Sequence, residues 1–311
     1  MIPLVMTSGD LLADRRADYA ESYLPSDPAA AAELYQQALE RAPRWAAGWF
    51  RLGEIRADAG LDLAEAAFEK VLELDPEDRL GASLRLDLLH PRSLSDAMPT
   101  AFVEALFDQY ASGFEESLLS KLDYRAPALL ARDLQGQYER VLDLGCGTGL
   151  MGRELAAKSG WLEGWDISSE MLREAGAKAC YHALEKRDLS ALMPEESRWD
   201  LITAADVFAY IGALEQIIGW VSAAIRPGGR FAFTVELHDG PEAYILRPSR
   251  RYAHSRHHLA ELLDLAGFEA AITTDWLRMD RGAPIEGLIV QAQRRADTSP
   301  QQETDMRALC L

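Results

Sequence analysis

The chain has 311 residues, of which 48% are hydrophobic and 26% are charged. This is the composition of a globular protein long enough for two domains. Asp and Glu total 50 against 32 Lys and Arg, which gives a formal net charge of −18. Because nucleic acids and anionic membrane surfaces are bound mainly through Lys and Arg, this charge argues against both as partners.

The cysteines and the apolar runs predict a cytoplasmic protein. Cys146, Cys180 and Cys310 show no paired spacing, as expected in a reducing compartment. The apolar stretch Ile2–Met6 is too short for a secretory signal, and no run approaches the roughly 18 apolar residues of a membrane helix. We therefore expect no attachment to a membrane.

An internal repeat with an offset of 33 residues occupies the N-terminal part of the chain. A small residue followed four positions later by an aromatic one lies on one helix face, and a proline then ends the helix. The matched positions are Ala31 and Ala64, Tyr35 and Phe68, and Pro43 and Pro76. The pattern predicts an all-α domain over residues 1–92, with a leading helix at about 9–23 and a capping helix at about 78–89.

The repeat resembles a known helical motif. Between its two copies lies the W-x-x-L-G sequence of Trp49–Gly53, which together with the repeat spacing and the terminal proline resembles the tetratricopeptide repeat (TPR). Repeats of this kind bury their core by stacking on neighbours. The resemblance implies either a protein-binding surface or a module for packing and dimerisation, and the sequence leaves both open.

A connecting region follows the repeat. Residues 93–100 are predicted as a linker, because the stretch from Pro91 contains two prolines and two serines without an apolar period. Residues 101–137 are predicted to be helical and include Phe107, Tyr110 and Phe114, whose spacing fits one apolar helix face.

Strands and helices alternate from residue 138 to residue 295. This alternation is typical of a mostly parallel α/β sheet, and two final runs joined at Asp280–Pro284 require an antiparallel hairpin. The predicted strands are Arg140–Leu144, Trp161–Trp165, Ala183–Arg187, Leu201–Ala205, Arg230–Glu236, Phe268–Trp276 and Ile285–Gln293. The sequence thus predicts a seven-stranded sheet, followed by a flexible tail over residues 296–311.

A glycine-rich turn follows the first of these strands. Gly147–Gly152 matches the dinucleotide pattern G-x-G-x-x-G. Asp143 just before the turn would repel a pyrophosphate, however, and Asp166 follows Gly152 by 14 residues where about 20 are expected. A nicotinamide-dependent oxidoreductase is therefore disfavoured.

The run D-x-G-x-G-x-G from Asp143 to Gly149, with a second strand ending in Asp166, resembles the class I S-adenosylmethionine-dependent methyltransferases over residues 101–295. The resemblance implies a Rossmann-like fold that binds S-adenosylmethionine and releases S-adenosylhomocysteine. The whole chain resembles a bacterial group of predicted methyltransferases with N-terminal TPR repeats. The residues implied in cofactor binding are Tyr110, Asp143, Gly145, Cys146, Gly147, Gly149, Asp166, Ile167, Asp188, Leu189 and Asp206.

The resemblance also assigns roles within that set. Asp166 would accept hydrogen bonds from both ribose hydroxyls, which suits a carboxylate with two acceptor oxygens. Asp188 would approach the adenine amino group, Leu189 would lie against the adenine ring, and Tyr110 would cover the cofactor as part of a lid. The alternative interpretation of Asp166 and Asp188 is that they cap helices.

Candidates for a catalytic base are few. Methyl transfer requires an aligned acceptor and the exclusion of water, and a base is required only if the acceptor must lose a proton. His254, which follows the fifth strand, is the first candidate, and Tyr210, Glu236 and Asp206 are alternatives. His254 with His257 or His258 has the spacing of a zinc pair, but no third-ligand motif accompanies it, so no metal is expected.

The acceptor is predicted to be a small molecule or a protein side chain. The fourth strand leads into Asp206-Val207 rather than an N/D-P-P-Y motif, and no Pro-Cys nucleophile for cytosine is present. The leading hypothesis is methyl transfer with repeats that recruit a partner or mediate dimerisation. The alternative is a non-catalytic adaptor or assembly factor whose methyltransferase fold only binds the cofactor.

Overall fold

The computed structural model describes residues 6–90, 94–111, 113–116, 118, 122–194 and 196–296. Its contacts divide the chain into two compact units, Met1–Leu106 with Leu246–Arg251 and Phe107–Ile245 with Tyr252–Leu311. The first unit thus extends beyond residue 92 and includes a short later segment. Residues 91–93, the last of which begins the predicted linker, and the predicted tail from 297 onward lie outside the described residues.

The first unit is built from helices. Their bounds are Leu11–Tyr23 (α1), Pro28–Arg41 (α2), Ala46–Asp58 (α3), Ala64–Leu74 (α4), Ala82–Leu89 (α5) and Thr100–Tyr110 (α6), the last of which contains the boundary between the units. Asp10 and Asp27 cap α1 and α2 by accepting hydrogen bonds from backbone N–H groups of the first turn. The aromatic repeat positions Tyr35 and Phe68 are both buried, as the repeat pattern requires.

Gly53 on α3 allows the repeat helices to approach each other. A Cβ atom at this position would lie 2.6 Å from the ring of Phe68, which is fully buried on α4. Since helical position alone would favour alanine over glycine, the close approach of α4 explains the glycine of the W-x-x-L-G sequence.

Replacing Gly53 with alanine is expected to destabilise the α3–α4 pair by about 1–3 kcal/mol, because the Phe68 ring must leave its packed position. Hydrogen-exchange mass spectrometry of peptides covering Ala46–Leu74 measures this as faster exchange. Gly219→Ala in a helix of the second unit is the matched control, because an added Cβ there meets no atom within 4 Å. Unchanged exchange in Gly53→Ala would contradict the packing argument.

The second unit alternates strands and helices. The strands are Tyr138–Leu144 (β1), Ser159–Asp166 (β2), Ala183–Lys186 (β3), Trp199–Ala204 (β4), Ile225–His238 (β5), Tyr244–Leu246 (β6), Tyr252–Ser255 (β7), Phe268–Asp280 (β8) and Ala283–Arg294 (β9). The α-helices are Phe114–Glu116 (α7), Ala126–Arg132 (α8), Leu150–Leu155 (α9), Ser169–Ala177 (α10), Glu215–Ala224 (α11) and Arg256–Leu265 (α12). Short 3-10 helices lie at Ala156–Lys158, Leu189–Ala191 and Phe208–Tyr210.

The sheet is mostly parallel, as predicted. Strands β3, β2, β1, β4 and β5 are neighbours in that order and parallel, and the hairpin β8–β9 joins β5 through antiparallel pairing. The predicted count of seven strands is wrong, because the sheet formed by the described residues has nine. The extra strands β6 and β7 arise in the segment after β5, where Leu237 pairs with His254.

Apolar side chains cover both faces of the sheet. Along β1, Leu142 packs in a cluster with residues of α11 and α12, whereas Val141 packs in a second cluster with residues of α8 and α9. Alternation of this kind is what two covered faces require. Because both faces are covered, the carboxyl ends of the parallel strands are the edge of the sheet where polar residues can lie together. Across the residues described, no helix combines the length and apolarity that crossing a bilayer would need.

Candidate functional site

The turn after β1 has one glycine that faces open space. Gly145, Gly147 and Gly149 all have positive φ, at 59°, 53° and 92°. A Cβ at Gly145 would meet Val207 at 2.6 Å, and one at Gly149 would meet Tyr181 at 3.0 Å. A Cβ at Gly147 would meet no atom within 4 Å. Gly147 is therefore the glycine of this turn whose backbone a ligand can approach.

Asp166 ends β2 directly beside that turn. Its Oδ2 accepts a hydrogen bond from the Gly147 amide at 2.9 Å, and its Oδ1 accepts one from the Ser168 amide at 2.8 Å. The helix α10 is capped by Ser168, whose Oγ accepts from Met171, so capping does not account for Asp166. Burial raises the pKa of Asp166 to about 6, against the opposing effect of the backbone hydrogen bonds.

Asp143 is a second buried carboxyl group beneath the turn. It is 1% exposed, with Oδ2 accepting a hydrogen bond from the Tyr181 hydroxyl at 2.7 Å and Oδ1 accepting one from Thr203 at 2.9 Å. Burial raises its pKa to about 7, the two hydroxyl donors oppose that rise, and the charge of Asp166 adds to it. Two buried acid groups, one of which raises the pKa of the other, form a site that a cation would stabilise.

The segment Phe107–Glu116, with Ser112 outside the described residues, contacts both sides of this site; we call it the covering segment. Glu115 accepts a hydrogen bond from Thr148 of the turn at 2.6 Å and pairs with Lys178. Burial pushes the pKa of Glu115 up, but the hydrogen bonds from Lys178 and Thr148 outweigh it, so the pKa is lowered. The covering segment is therefore attached to the turn through an ionised carboxylate.

The other end of the covering segment contacts the N-cap of α10, two residues after Asp166. Asp108 accepts a hydrogen bond from the Ser168 hydroxyl at 2.6 Å. The ring of Phe107 lies 5.1 Å from that of Tyr210, edge to face. Tyr110, predicted to cover the cofactor, is 57% exposed, so in this structure Phe107, Asp108 and Glu115 make the contacts of the lid.

Part of the second unit is similar to known proteins. Residues 141–229 match the family model described as a methyltransferase domain. The ubiquinone biosynthesis O-methyltransferase of Bordetella avium is 27% identical over 153 residues, covering 44% of this chain and 61% of the relative. The malonyl-[acyl-carrier protein] O-methyltransferase of Salmonella typhimurium is 30% identical over 132 residues, covering 42% of this chain and 52% of the relative.

Residues 141–229 of the second unit match a methyltransferase domain, and both relatives are methyltransferases. The chain spans only about half to three fifths of the length of these two curated relatives. A solved structure described as a DhpI–SAM–HEP complex overlaps with 60% of this chain and 94% of its own, at 25% identity and a TM-score of 0.48.

The other predicted cofactor residues of the methyltransferase domain have varied surroundings. Ile167 is half-buried, and Cys146 is 5% exposed, with a pKa that burial raises well above its usual value. Asp188 accepts hydrogen bonds from the amide and hydroxyl of Ser190 and so caps the 3-10 helix that follows β3. Leu189 is half-buried against the larger apolar cluster.

His254 does not have the exposed position expected of a histidine at the mouth of a site. It is 2% exposed on β7, and its Nε2 lies 3.0 Å from the Ile211 oxygen and 3.1 Å from the Gly212 oxygen. Nε2 must therefore carry a proton, and Nδ1 is a buried acceptor that makes no hydrogen bond to any described residue. Burial lowers the pKa of His254 to about 4, so the ring is neutral at neutral pH.

The neighbouring helix does not form the zinc pair considered from the sequence. His257 pairs with Glu261 and His258 pairs with Glu215, both at the protein surface. Ser255 occupies the N-cap position of α12 but makes no side-chain capping bond. Within the described ranges, no group of three His, Cys, Asp or Glu side chains could hold a metal ion.

Asp206 and Glu236 are joined by a residue that the sequence did not single out. Arg278 on β8 donates to both carboxylate oxygens of Asp206 at 2.9 Å and also bonds to Glu236. Arg278 and Glu236 are almost completely buried. Both predicted acids thus belong to one ion cluster at the carboxyl edge of the sheet. The backbone of Asp206 has a positive φ of 59°.

Three other residues of the site were missed as individuals: Asp108, Glu115 and Tyr181. Asp108 and Glu115 lie in the segment singled out for its aromatic residues, where two acids flanking Phe107 and Phe114 were a usable signal. Arg278 is a lone charge between Leu277 and Met279, which also distinguishes it. Tyr181 carries no comparable signal in the sequence.

Proposed function

We propose that this protein is an enzyme that transfers the methyl group of S-adenosylmethionine to an oxygen atom of a small-molecule or protein acceptor. The observation that carries the proposal is the hydrogen bond from the open Gly147 amide to the buried Asp166 carboxylate. This hydrogen bond joins an approachable backbone to a carboxylate with two acceptor oxygens at the carboxyl edge of the sheet, which supports binding of a ribose diol by Asp166.

The residues present fit the cofactor chemically. The open cradle at Gly147 admits the amino-acid part, and the carboxyl groups of Asp143 and Asp166 favour a cation. Asp166 has lone pairs on both oxygens for two ribose hydroxyls beyond the amides it already accepts. Asp188 and Leu189 follow β3 in the place proposed for the adenine, although the hydrogen bonds of Asp188 to Ser190 also serve its capping role.

The protein itself is proposed to align the methyl acceptor and to exclude water, whereas the reactive methyl group comes from the cofactor. Bound S-adenosylmethionine would supply a methyl group already activated by the sulfonium charge. The covering segment, attached through Asp108 and Glu115, shields the site, and its Phe107 packs on Tyr210, which follows β4. Water exclusion of this kind strengthens the electrostatic contacts inside the site.

His254 is the proposed proton acceptor where the methyl acceptor is a hydroxyl group. Its Nε2 proton is fixed by the carbonyls of Ile211 and Gly212, and the Nδ1 lone pair of the neutral ring is buried and has no partner among the described residues. A low pKa makes it a weak base, which suits a late proton transfer from an oxygen that has become acidic on methylation. Glu236 and Tyr210 remain the alternatives, and Glu236 is engaged by Arg278.

The proposal that the methyl acceptor is an oxygen atom rests on the two relatives, both of which are named O-methyltransferases. A carboxylate acceptor would need no base, whereas a phenolic hydroxyl would use one. The helical unit is proposed to be a pair of TPR-like repeats that bind the acceptor protein or a second subunit. The 33-residue offset and the packing of Gly53 against Phe68 support that assignment.

The test measures S-adenosylhomocysteine formation with panels of phenolic, carboxylic and acyl-carrier-protein acceptors. Turnover with an oxygen acceptor, lost in Asp166→Ala, is the expected result. Turnover only with amine acceptors would contradict the oxygen assignment. Binding of S-adenosylhomocysteine without any turnover, together with loss of a partner complex on deletion of the repeats, would favour the adaptor function instead.

A further inference from the structure

Tyr181 fills the space beneath the glycine-rich turn. Cβ atoms added at Gly149, Gly152 and Gly164 would lie 3.0, 2.3 and 2.8 Å from atoms of its side chain. These glycines come from the turn, from α9 and from β2, so the ring occupies a space where three elements meet. The later glycines of the G-x-G-x-x-G pattern therefore accommodate this tyrosine, while Gly147 alone of the pattern's three glycines faces open space.

The hydroxyl group of Tyr181 is directed at the buried acid of the site. It donates to Oδ2 of Asp143 at 2.7 Å, while the Thr203 hydroxyl donates to Oδ1 at 2.9 Å. Burial, and then the charge of Asp143, raise the pKa of Tyr181 well above its usual value, so the hydroxyl keeps its proton. Each oxygen of the carboxylate thus has one fixed hydroxyl donor.

We propose that Tyr181 is a positioning residue for cofactor binding, whose hydroxyl favours the ionised form of Asp143 beneath the turn so that the α-ammonium group of the cofactor's amino-acid part is attracted. The inference rests on the proposed cofactor site. It assigns to a residue 38 positions away from Asp143 a role that the glycine pattern alone does not suggest.

The titration of Asp143 gives the proposal a distinctive readout. Burial raises its pKa to about 7, and the Tyr181 hydrogen bond lowers it from what burial alone would give. The titratable groups that face it are Tyr181, Cys146, Cys180 and Asp166. The tyrosine and both thiols have raised pKa values, so Asp166, at about 6, is the other group that titrates near neutral pH.

The experiment is calorimetric titration with S-adenosylhomocysteine between pH 5.5 and 9 for the wild type and Tyr181→Phe. The variant keeps the ring and loses only the donor, so the pKa of Asp143 should rise and the charged form should be lost at neutral pH. We expect about tenfold weaker binding at pH 7, the size of one hydrogen bond to a charged group. Above pH 8.5 the affinity should return to near the wild-type value.

Three further variants separate this role from simple packing. Thr203→Val removes the other donor and should shift the pH profile in the same direction. In Asp143→Asn the added Tyr181→Phe change should have no further effect on the pH profile. Tyr138→Phe removes a hydroxyl bonded to the Gln135 carbonyl at the start of β1 and should leave binding unchanged.

The outcomes are distinguishable. A Tyr181→Phe profile that superimposes on the wild type, or a loss of affinity that persists at pH 9, would overturn the positioning role and leave the proposed function intact. A wild-type protein that binds no S-adenosylhomocysteine at any pH would overturn the proposed function and this inference together.

Discussion

Replacing Asp166 with alanine is expected to weaken the binding of S-adenosylhomocysteine by at least about a hundredfold. In the proposed binding mode the variant loses two charge-assisted hydrogen bonds to the ribose, each contributing about 1.5–3 kcal/mol. It also loses the acceptor that fixes the Gly147 amide at 2.9 Å, so the cradle itself becomes less ordered. Calorimetric titration of the variant against the wild type measures the effect.

Two controls make that result specific. Asp264→Ala removes an exposed carboxylate on α12 and should leave the affinity unchanged. Asp166→Asn keeps the shape and one acceptor oxygen, so it should bind with intermediate affinity. Binding by Asp166→Ala within threefold of the wild type would show that another residue takes the ribose hydroxyls.

The pH dependence gives an independent check of the same site. The pKa of Asp166 is raised to about 6, and the protonated acid loses the acceptor strength on which ribose binding depends. Wild-type affinity should therefore fall as the pH drops through about 6. In Asp166→Asn the component of this fall that belongs to Asp166 should be absent, because the amide does not titrate.

The sequence predicted those parts of the fold that depend on local patterns. The alternation of strands and helices, the terminal hairpin and the acid at the end of β2 follow from periodicity, turn residues and the spacing of glycines along one stretch of chain. The short strands β6 and β7 were not predicted, because three or four residues carry too little periodicity to distinguish a strand from a loop.

The contacts that complete the site connect residues far apart in the chain. Arg278 bonds to Asp206 across 72 positions, and Ser168 bonds to Asp108 across 60. Hydrogen bonds of this kind leave no periodic trace, so Asp206 and Glu236 were predicted as separate site residues although one guanidinium joins them. The burial of His254 also could not be read from the sequence, because its cover comes from Ile211 and Gly212.

The ion cluster of Arg278, Asp206 and Glu236 leads to the second large expected effect. Arg278→Met should lower the free energy of unfolding by about 3–5 kcal/mol, the cost of removing one partner from a buried ion pair. The side chain of similar length keeps most of the packing at β8, so the loss reports on the two carboxylates deprived of the guanidinium that they share. Urea unfolding followed by circular dichroism measures it.

A double-mutant cycle separates charge from packing in that cluster. Adding Glu236→Gln to Arg278→Met removes one of the two carboxylates that have lost the guanidinium and should recover part of the lost stability, since the effects of substitutions at residues in contact are not additive. Arg295→Met is the matched control, because its ion pair with Asp264 is half exposed and should contribute less than about 1 kcal/mol. If Arg278→Met lowers the free energy of unfolding by no more than this control, the cluster does not stabilise the carboxyl edge of the sheet. The position of Asp206 beside the site must then be maintained by other contacts, such as the hydrogen bond from its amide to Thr234.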